Sequence, residues 1–384
     1  MTALRATLPA GRTPPFVPFF ALAALDAIFG GGAWLLTFTG AEAPQIPFSD
    51  FANWHSREML FGYLAAALSG FFLTALPRWT GRPVPLWSVR AILAMWLAAR
   101  VAPLPPNPFA VIAAAPGIAL AVTAAFQVGA ARDVRNAKTV ALLGLYAGAG
   151  ACCAGAAAGP ARDLAMRLAI AAMIGLVMIV GGRVLPALTI RYDALCGEAP
   201  LPHVARTIER FSAAWAAAAL VSWLVIPDGG ALAIVLGCAA IGQILRMAGW
   251  LGRRTASSPP LRILYIAYAS IPAGFALLAA HAFAPELIPE SAGFHMWMVG
   301  SFGGMTLAIM SSMIRKRNNL AFTTSRAGAA TALFWLAATL CRIAAAFVPS
   351  PAGWLIAAAI AWAAAFGLFL FDFRAALLRG LFTR

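Results

Sequence analysis

Twelve apolar runs of about twenty residues, parted by short polar gaps, leave this chain of 384 residues few ways to fold. A bilayer core about 30 Å thick takes roughly twenty apolar residues per helix, and only helices or closed barrels satisfy their backbone groups in lipid. On that ruler the runs fall near 16–40, 55–77, 87–103, 108–130, 139–158, 164–190, 207–226, 230–250, 261–283, 294–314, 327–348 and 353–373. The first run is too long for a signal-peptide core and is read as a retained span. Hydrophobic residues make up 62% of the chain and charged ones 11%, against about 25% charged in soluble domains. The prediction is an all-α polytopic membrane helix bundle of about 12 transmembrane helices, one integral membrane domain over residues 1–384.

Charge placement orients the bundle. The net charge of +15 invites a nucleic-acid reading, but the basic residues sit in short loops between apolar runs, as the positive-inside rule requires. With a cytoplasmic N-terminus, 23 of the 28 basic residues fall on the cytoplasmic side. The far side keeps Arg57, Arg100, Arg162, Arg167 and Arg342. Both termini are therefore expected in the cytoplasm, with the lipid bilayer as the main partner and no nucleic acid.

Three runs share a pattern that suggests a threefold internal repeat of four helices: LSGFFLTALPRWTGR, MIVGGRVLPALTIR and FGGMTLAIMSSMIRKR each end in a basic loop. Such repeats often bracket a central site in membrane bundles. Glycines at 30–32, 62, 70, 181, 182, 300, 303 and 304 are read first as helix-packing positions, because lipid supplies no hydrophobic drive for helix association. Trp54, Trp79, Trp87, Trp250, Trp297 and Trp354, near run ends, are read as interface belt. The five cysteines form no CxxC or CxxCH pattern and read as small buried apolar residues, so any haem is held non-covalently, as a b-type group.

The richest stretch is WHSREMLFGYLAAALSGFFLTALPRWTGR, from Trp54 to Arg82, which puts His55, Arg57 and Glu58 at a helix mouth. Ionisable groups there cost free energy and mark functional sites. His55 and His295 both open helices running inward from the far face, so they share a depth at which two imidazoles can clamp a porphyrin or share a metal. His203 is read as solvated and His281 as interfacial. Glu58 either orients His55, three residues before it, or interacts with the helix dipole. Arg57 either caps an anion such as a haem propionate or snorkels to the headgroups. Met296 and Met298 flank His295, where thioethers suit Cu(I) but more often pack. Asp26, near mid-depth, is neutral, paired with a base or set in a hydrated cavity. Arg183 snorkels or supports the bundle.

These stretches resemble the NnrS family, bacterial integral membrane proteins of about twelve spans known as haem- and copper-containing and linked to nitric oxide stress. The resemblance rests on PFVPFFALAAL from Pro15, WHSREMLFGYLAAALSGFFLTALPRWTGRP from Trp54, GGRVLPALT from Gly181, RMAGWLGRRT from Arg246 and HMWMVGSFGGMTLAIM from His295. The second stretch is similar to the family signature WHxHEMLFGF…GFLLTAVPNWTG. Arg57 and Tyr265 stand where the family usually has histidine, RKRNNLAF replaces GHTGRPL, and a fifth-span histidine has no counterpart near Cys152. This is thus a divergent member in which His55 and His295 alone carry over. The resemblance implies a haem on those two histidines, a copper site stripped of ligands, nitric oxide as small-molecule ligand, and the bacterial inner membrane as location. From the residues alone, a proton-coupled small-molecule transporter using Asp26, Arg57 and Glu58 and a non-catalytic membrane assembly protein stay open.

Overall fold

A computed structural model describes residues 14–38, 51–101, 108–156, 159–199, 205–226 and 228–382. Among the described residues every regular element is helical. The crossing elements are α1 (Phe16–Phe38), α2 (Phe51–Thr80), α3 (Leu86–Ala99), α4 (Phe109–Ala130), α5 (Val134–Gly155), α6 (Pro160–Leu195), α7 (Arg206–Val225), α8 (Gly230–Ala248), α9 (Pro259–Phe283), α10 (Glu290–Arg317), α11 (Arg326–Ala344) and α12 (Ala352–Phe382). Eleven are long and apolar enough to cross a membrane, and the shorter α3 is the twelfth predicted span. At 1.5 Å per residue α3 covers only about 21 Å, less than the roughly 30 Å of a bilayer core. Large apolar side chains such as Phe126 (68% exposed) and Leu340 (66%) face outward, as lipid-facing surfaces require.

Local chemistry sets the boundaries. Gly81 takes the left-handed conformation (φ 69°) that ends α2, its N–H bonding Pro77 O at 3.0 Å. Asp133 caps α5 through the Asn136 N–H, and Ser325 caps α11 through the Gly328 N–H at 2.9 Å. Pro259, at the first turn of α9, needs no N–H partner there.

The helices form two compact units, residues 1–176 with 370–384, and residues 177–369. In the first, α1 packs on α2, α2 and α3 pack on α4, and α4 packs on α5. Phe19, Phe20, Leu60, Phe72 and Leu76 are fully buried there, and Gly70 lets the Phe20 ring approach to where a Cβ would stand 2.6 Å away. In the second, α7, α8, α9, α10 and α11 pack in chain order around Trp297, Trp335, Tyr268, Phe275 and Phe302. Trp297 meets Phe275 edge-on at 4.9 Å and Trp223 at 5.5 Å. Trp54, Trp250 and Trp297 are therefore core residues rather than belt, while Trp87 and Trp354 stay exposed. An indole N–H serves a buried carbonyl as readily as a headgroup, and Trp297 Nε1 donates to Ile271 O at 3.0 Å. Of the cysteines only Cys153 is buried; Cys152 and Cys196 are exposed.

Two helices contain long π-helical segments, Glu58–Tyr63 in α2 and Met296–Gly303 in α10. A π turn widens the helix and re-aims its carbonyls, and such turns concentrate at functional sites. In lipid those carbonyls need donors. Neighbouring helices supply them: Tyr146 Oη donates to Leu60 O at 2.5 Å, Trp96 Nε1 to Gly62 O at 3.0 Å, and Trp335 Nε1 to Val299 O at 2.9 Å. Tyr146→Phe is expected to destabilise the protein by about 1–3 kcal/mol, since it leaves a buried acceptor unmet. Denaturation of the purified protein in mixed micelles measures this, and an unshifted midpoint would show that Leu60 O does not need the phenol.

Candidate functional site

The first unit carries its ionisable groups at the mouth of α2. Here the helix passes from an α-helical turn (Phe51–Arg57) through the π segment into α-helix again from Leu64. The wider turn sets His55, Arg57 and Glu58 against α1, α3 and α6. His55 Nδ1 lies 3.1 Å from Gly30 O of α1. A carbonyl can only accept, so Nδ1 carries the proton and, in the neutral ring, the lone pair sits on Nε2. That is the tautomer histidine uses to ligate iron through Nε2, with the other nitrogen anchored by the protein.

Asp26 and Glu58 converge on one guanidinium. Arg100 Nη1 donates to Asp26 Oδ2 at 3.3 Å and, more closely, to Glu58 Oε1. The guanidinium lies over the Trp96 ring, 4.7 Å from its centroid. Trp96 in turn holds the π segment through Gly62 O, so ring, cation and carboxylates form one unit. Gly62 is required on steric grounds: a Cβ there would fall on the Arg100 guanidinium and the Asp26 carboxylate and lie 3.0 Å from Glu58 Oε1. Asp26 is thus a carboxylate paired with a base, one of the three options its depth allowed.

Arg57 does not snorkel. It is 8% exposed, its Nη1 has no hydrogen-bond partner, and Arg162, Cys153, Glu58 and Arg100 lie within electrostatic reach. Arg162, at the start of α6, is 6% exposed with its Nε unpartnered. The sequence places Arg100 and Arg162 only among the five far-side basic residues. Their signal was that they contradict the charge asymmetry that governs the rest of the chain.

In the second unit, His295 closes the short α-helical turn Glu290–His295 ahead of the other π segment. Its Nδ1 lies 2.8 Å from Ser291 O, which fixes the same tautomer as in His55. His281 differs: Nδ1 meets Ile288 O at 2.7 Å while Nε2 stands 3.5 Å from Asp228. His203 lies outside the described residues. Arg183 belongs to the second unit and is partly exposed.

That unit also holds a polar network that was not foreseen. Arg246 donates to Glu209 Oε2 at 2.8 Å, Tyr268 Oη at 3.1 Å and Met178 O at 3.2 Å, and lies over Trp250 at 4.7 Å. Tyr268 Oη donates to Gln243 Oε1 at 2.7 Å, and Gln243 Nε2 donates to Ser212 Oγ at 2.7 Å. Tyr265, where the resemblance leads one to expect histidine, donates its hydroxyl to Trp250 O at 2.7 Å and meets Thr189 Oγ1 at 3.0 Å. It does structural work there. Among the described residues no three His, Cys, Asp or Glu side chains gather as a metal site.

Fold and charged mouth together define a multi-pass helical membrane protein with a partly buried ionic cluster at one end of its first unit. The chain belongs to the NnrS family: the family model, described as NnrS protein, matches residues 12–380. No curated protein matches the chain.

Arg100→Gln leaves Asp26 and Glu58 facing each other without a cation, and is expected to cost about 3 kcal/mol. Adding Asp26→Asn and Glu58→Gln should restore much of that loss, because no carboxylate is then left without its cation. Thermal unfolding of the single and triple variants tests this, and equal losses in both would rule out charge pairing as the cause.

Proposed function

We propose that this NnrS-family protein binds a non-covalent haem and serves the response to nitric oxide. One observation carries the reading: His55 and His295, one in each unit, both direct Nδ1 to a backbone carbonyl at the start of a π-helical segment. Each ring is thereby fixed in orientation with its lone pair on Nε2, the arrangement of an axial haem ligand. Bound haem supplies an iron that coordinates nitric oxide, a small neutral molecule that dissolves in lipid and reaches a membrane-embedded site directly.

The chain's own residues then have separable tasks. His55 and His295 would each be a haem-binding histidine, offering Nε2 to an iron. Arg57, buried with an unmet N–H, suits a haem carboxylate through a charge-assisted hydrogen bond. Glu58 and Asp26 fix the mouth of α2 through Arg100, so His55 stands on a rigid support. Copper is not part of this reading, since Arg57 and Tyr265 stand where the family usually has histidine.

The full chain, purified and supplied with haem, is expected to show a Soret band and a b-type pyridine haemochrome. His55→Ala and His295→Ala should each abolish or strongly shift that band, and nitric oxide should shift it in the parent protein. Unchanged spectra in both variants would remove these histidines as ligands.

A further inference from the structure

The charges at the mouth of the first unit do not cancel. Arg57, Arg100 and Arg162 bring three guanidiniums, and Asp26 and Glu58 two carboxylates, both spent on Arg100. At least one positive charge is left over, in a cluster whose members are mostly shielded from solvent. Each arginine also keeps one buried N–H without an acceptor: Arg57 Nη1, Arg100 Nε and Arg162 Nε. A buried unpaired cation costs several kcal/mol, and so does each unmet donor, unless something supplies the missing charge and lone pairs.

Among the described residues no other acidic group supplies them. Asp163, beside Arg162, is exposed to solvent. The Cys153 thiol, within reach of both Arg57 and Arg162, donates its proton to the Arg162 carbonyl at 3.9 Å, so it stands as a neutral thiol and not as a thiolate. What the site lacks is negative charge carrying several acceptors.

We propose that Arg57 and Arg162 form a receptor for one small planar oxyanion at the far-face mouth of the first unit. The surplus positive charge calls for an anion, and guanidiniums prefer planar oxyanions, whose oxygens each take an N–H. The occupant is a free ion. Both arginines are more than nine-tenths buried, which holds a bulky lipid headgroup off them, and a haem propionate presents the same carboxylate chemistry to Arg57 and therefore competes with the ion. The site needs no haem, so it stands or falls apart from the preceding reading.

Nitrate is a suitable probe, being monovalent, planar and without a titratable proton at neutral pH. Haem-free full-length protein, delipidated in a neutral detergent and a chloride-poor buffer, should show a saturable rise in Tm of roughly 3–5 °C with nitrate, while sulfate at equal ionic strength does little. Arg57→Gln and Arg162→Gln should each lose the nitrate response. Without nitrate, each should also be at least as stable as the parent, because it removes a buried like charge; a merely structural arginine would lower Tm instead. His55→Ala should keep the full response. No saturable nitrate effect in the parent, an equal effect in the Arg57→Gln/Arg162→Gln double variant, or stabilisation by phosphatidylglycerol but not by nitrate would each overturn the assignment.

Discussion

A single guanidinium, that of Arg100, holds the first unit's mouth in its observed form. Asp26 comes from α1 and Glu58 from α2, and neither carboxylate tolerates a low-dielectric environment alone. Arg100, at the C-cap of α3, reaches both. Trp96, one turn earlier on α3, backs the guanidinium with its ring and uses its N–H on the π segment of α2. The end of α3, the ion pairing and the widened turn of α2 are thus one arrangement. Remove the cation and the carboxylates repel; remove the π turn and Glu58 no longer meets its partner.

The same residues explain why the chain's charge asymmetry is incomplete. By the positive-inside reading, basic residues outside the basic loops work against the charge asymmetry of the rest of the chain. Three of the five exceptions, Arg57, Arg100 and Arg162, fall in one electrostatic cluster of the first unit. Retaining them there has a cost in insertion and in burial, and the cluster's carboxylates offset only part of it. In a chain that otherwise obeys the rule, the exceptions mark where chemistry outweighs topology.

Much of this architecture was legible in the sequence, and the reason is that lipid permits so few alternatives. Eleven of the twelve apolar runs became helices long and apolar enough to cross a membrane and the other became the shorter α3, because a run of that length has no other way to satisfy its backbone. Gly62, Gly70, Gly181 and Gly304 were legible as close-approach positions, and a Cβ at each would meet a neighbouring side chain. The π segments were not legible, since a π turn has no composition of its own; Tyr146, Trp96 and Trp335 stabilise it from distant parts of the chain. Arg100 was not legible as the partner of Asp26 and Glu58, which lie 74 and 42 residues away. Trp297 was misjudged because an amphipathic ring suits an interface and a buried carbonyl equally well.

The two histidine-bearing helices show how one backbone device serves a side chain twice. In α2 and α10 a short α-helical turn delivers a histidine and then widens into a π segment. The sixth predicted span lies in α6, which carries no histidine and stays α-helical throughout. Widening a helix in lipid has a cost that only a function or a tertiary partner offsets, and here both π segments are held by indole or phenol donors from other helices. In each case the histidine Nδ1 is tied to a carbonyl, within its own turn for His295 and across to α1 for His55. Anchoring one nitrogen restricts ring rotation and fixes which nitrogen keeps the lone pair. His281 shares the Nδ1–carbonyl anchor, so what sets His55 and His295 apart is that each anchored ring stands just ahead of a π segment.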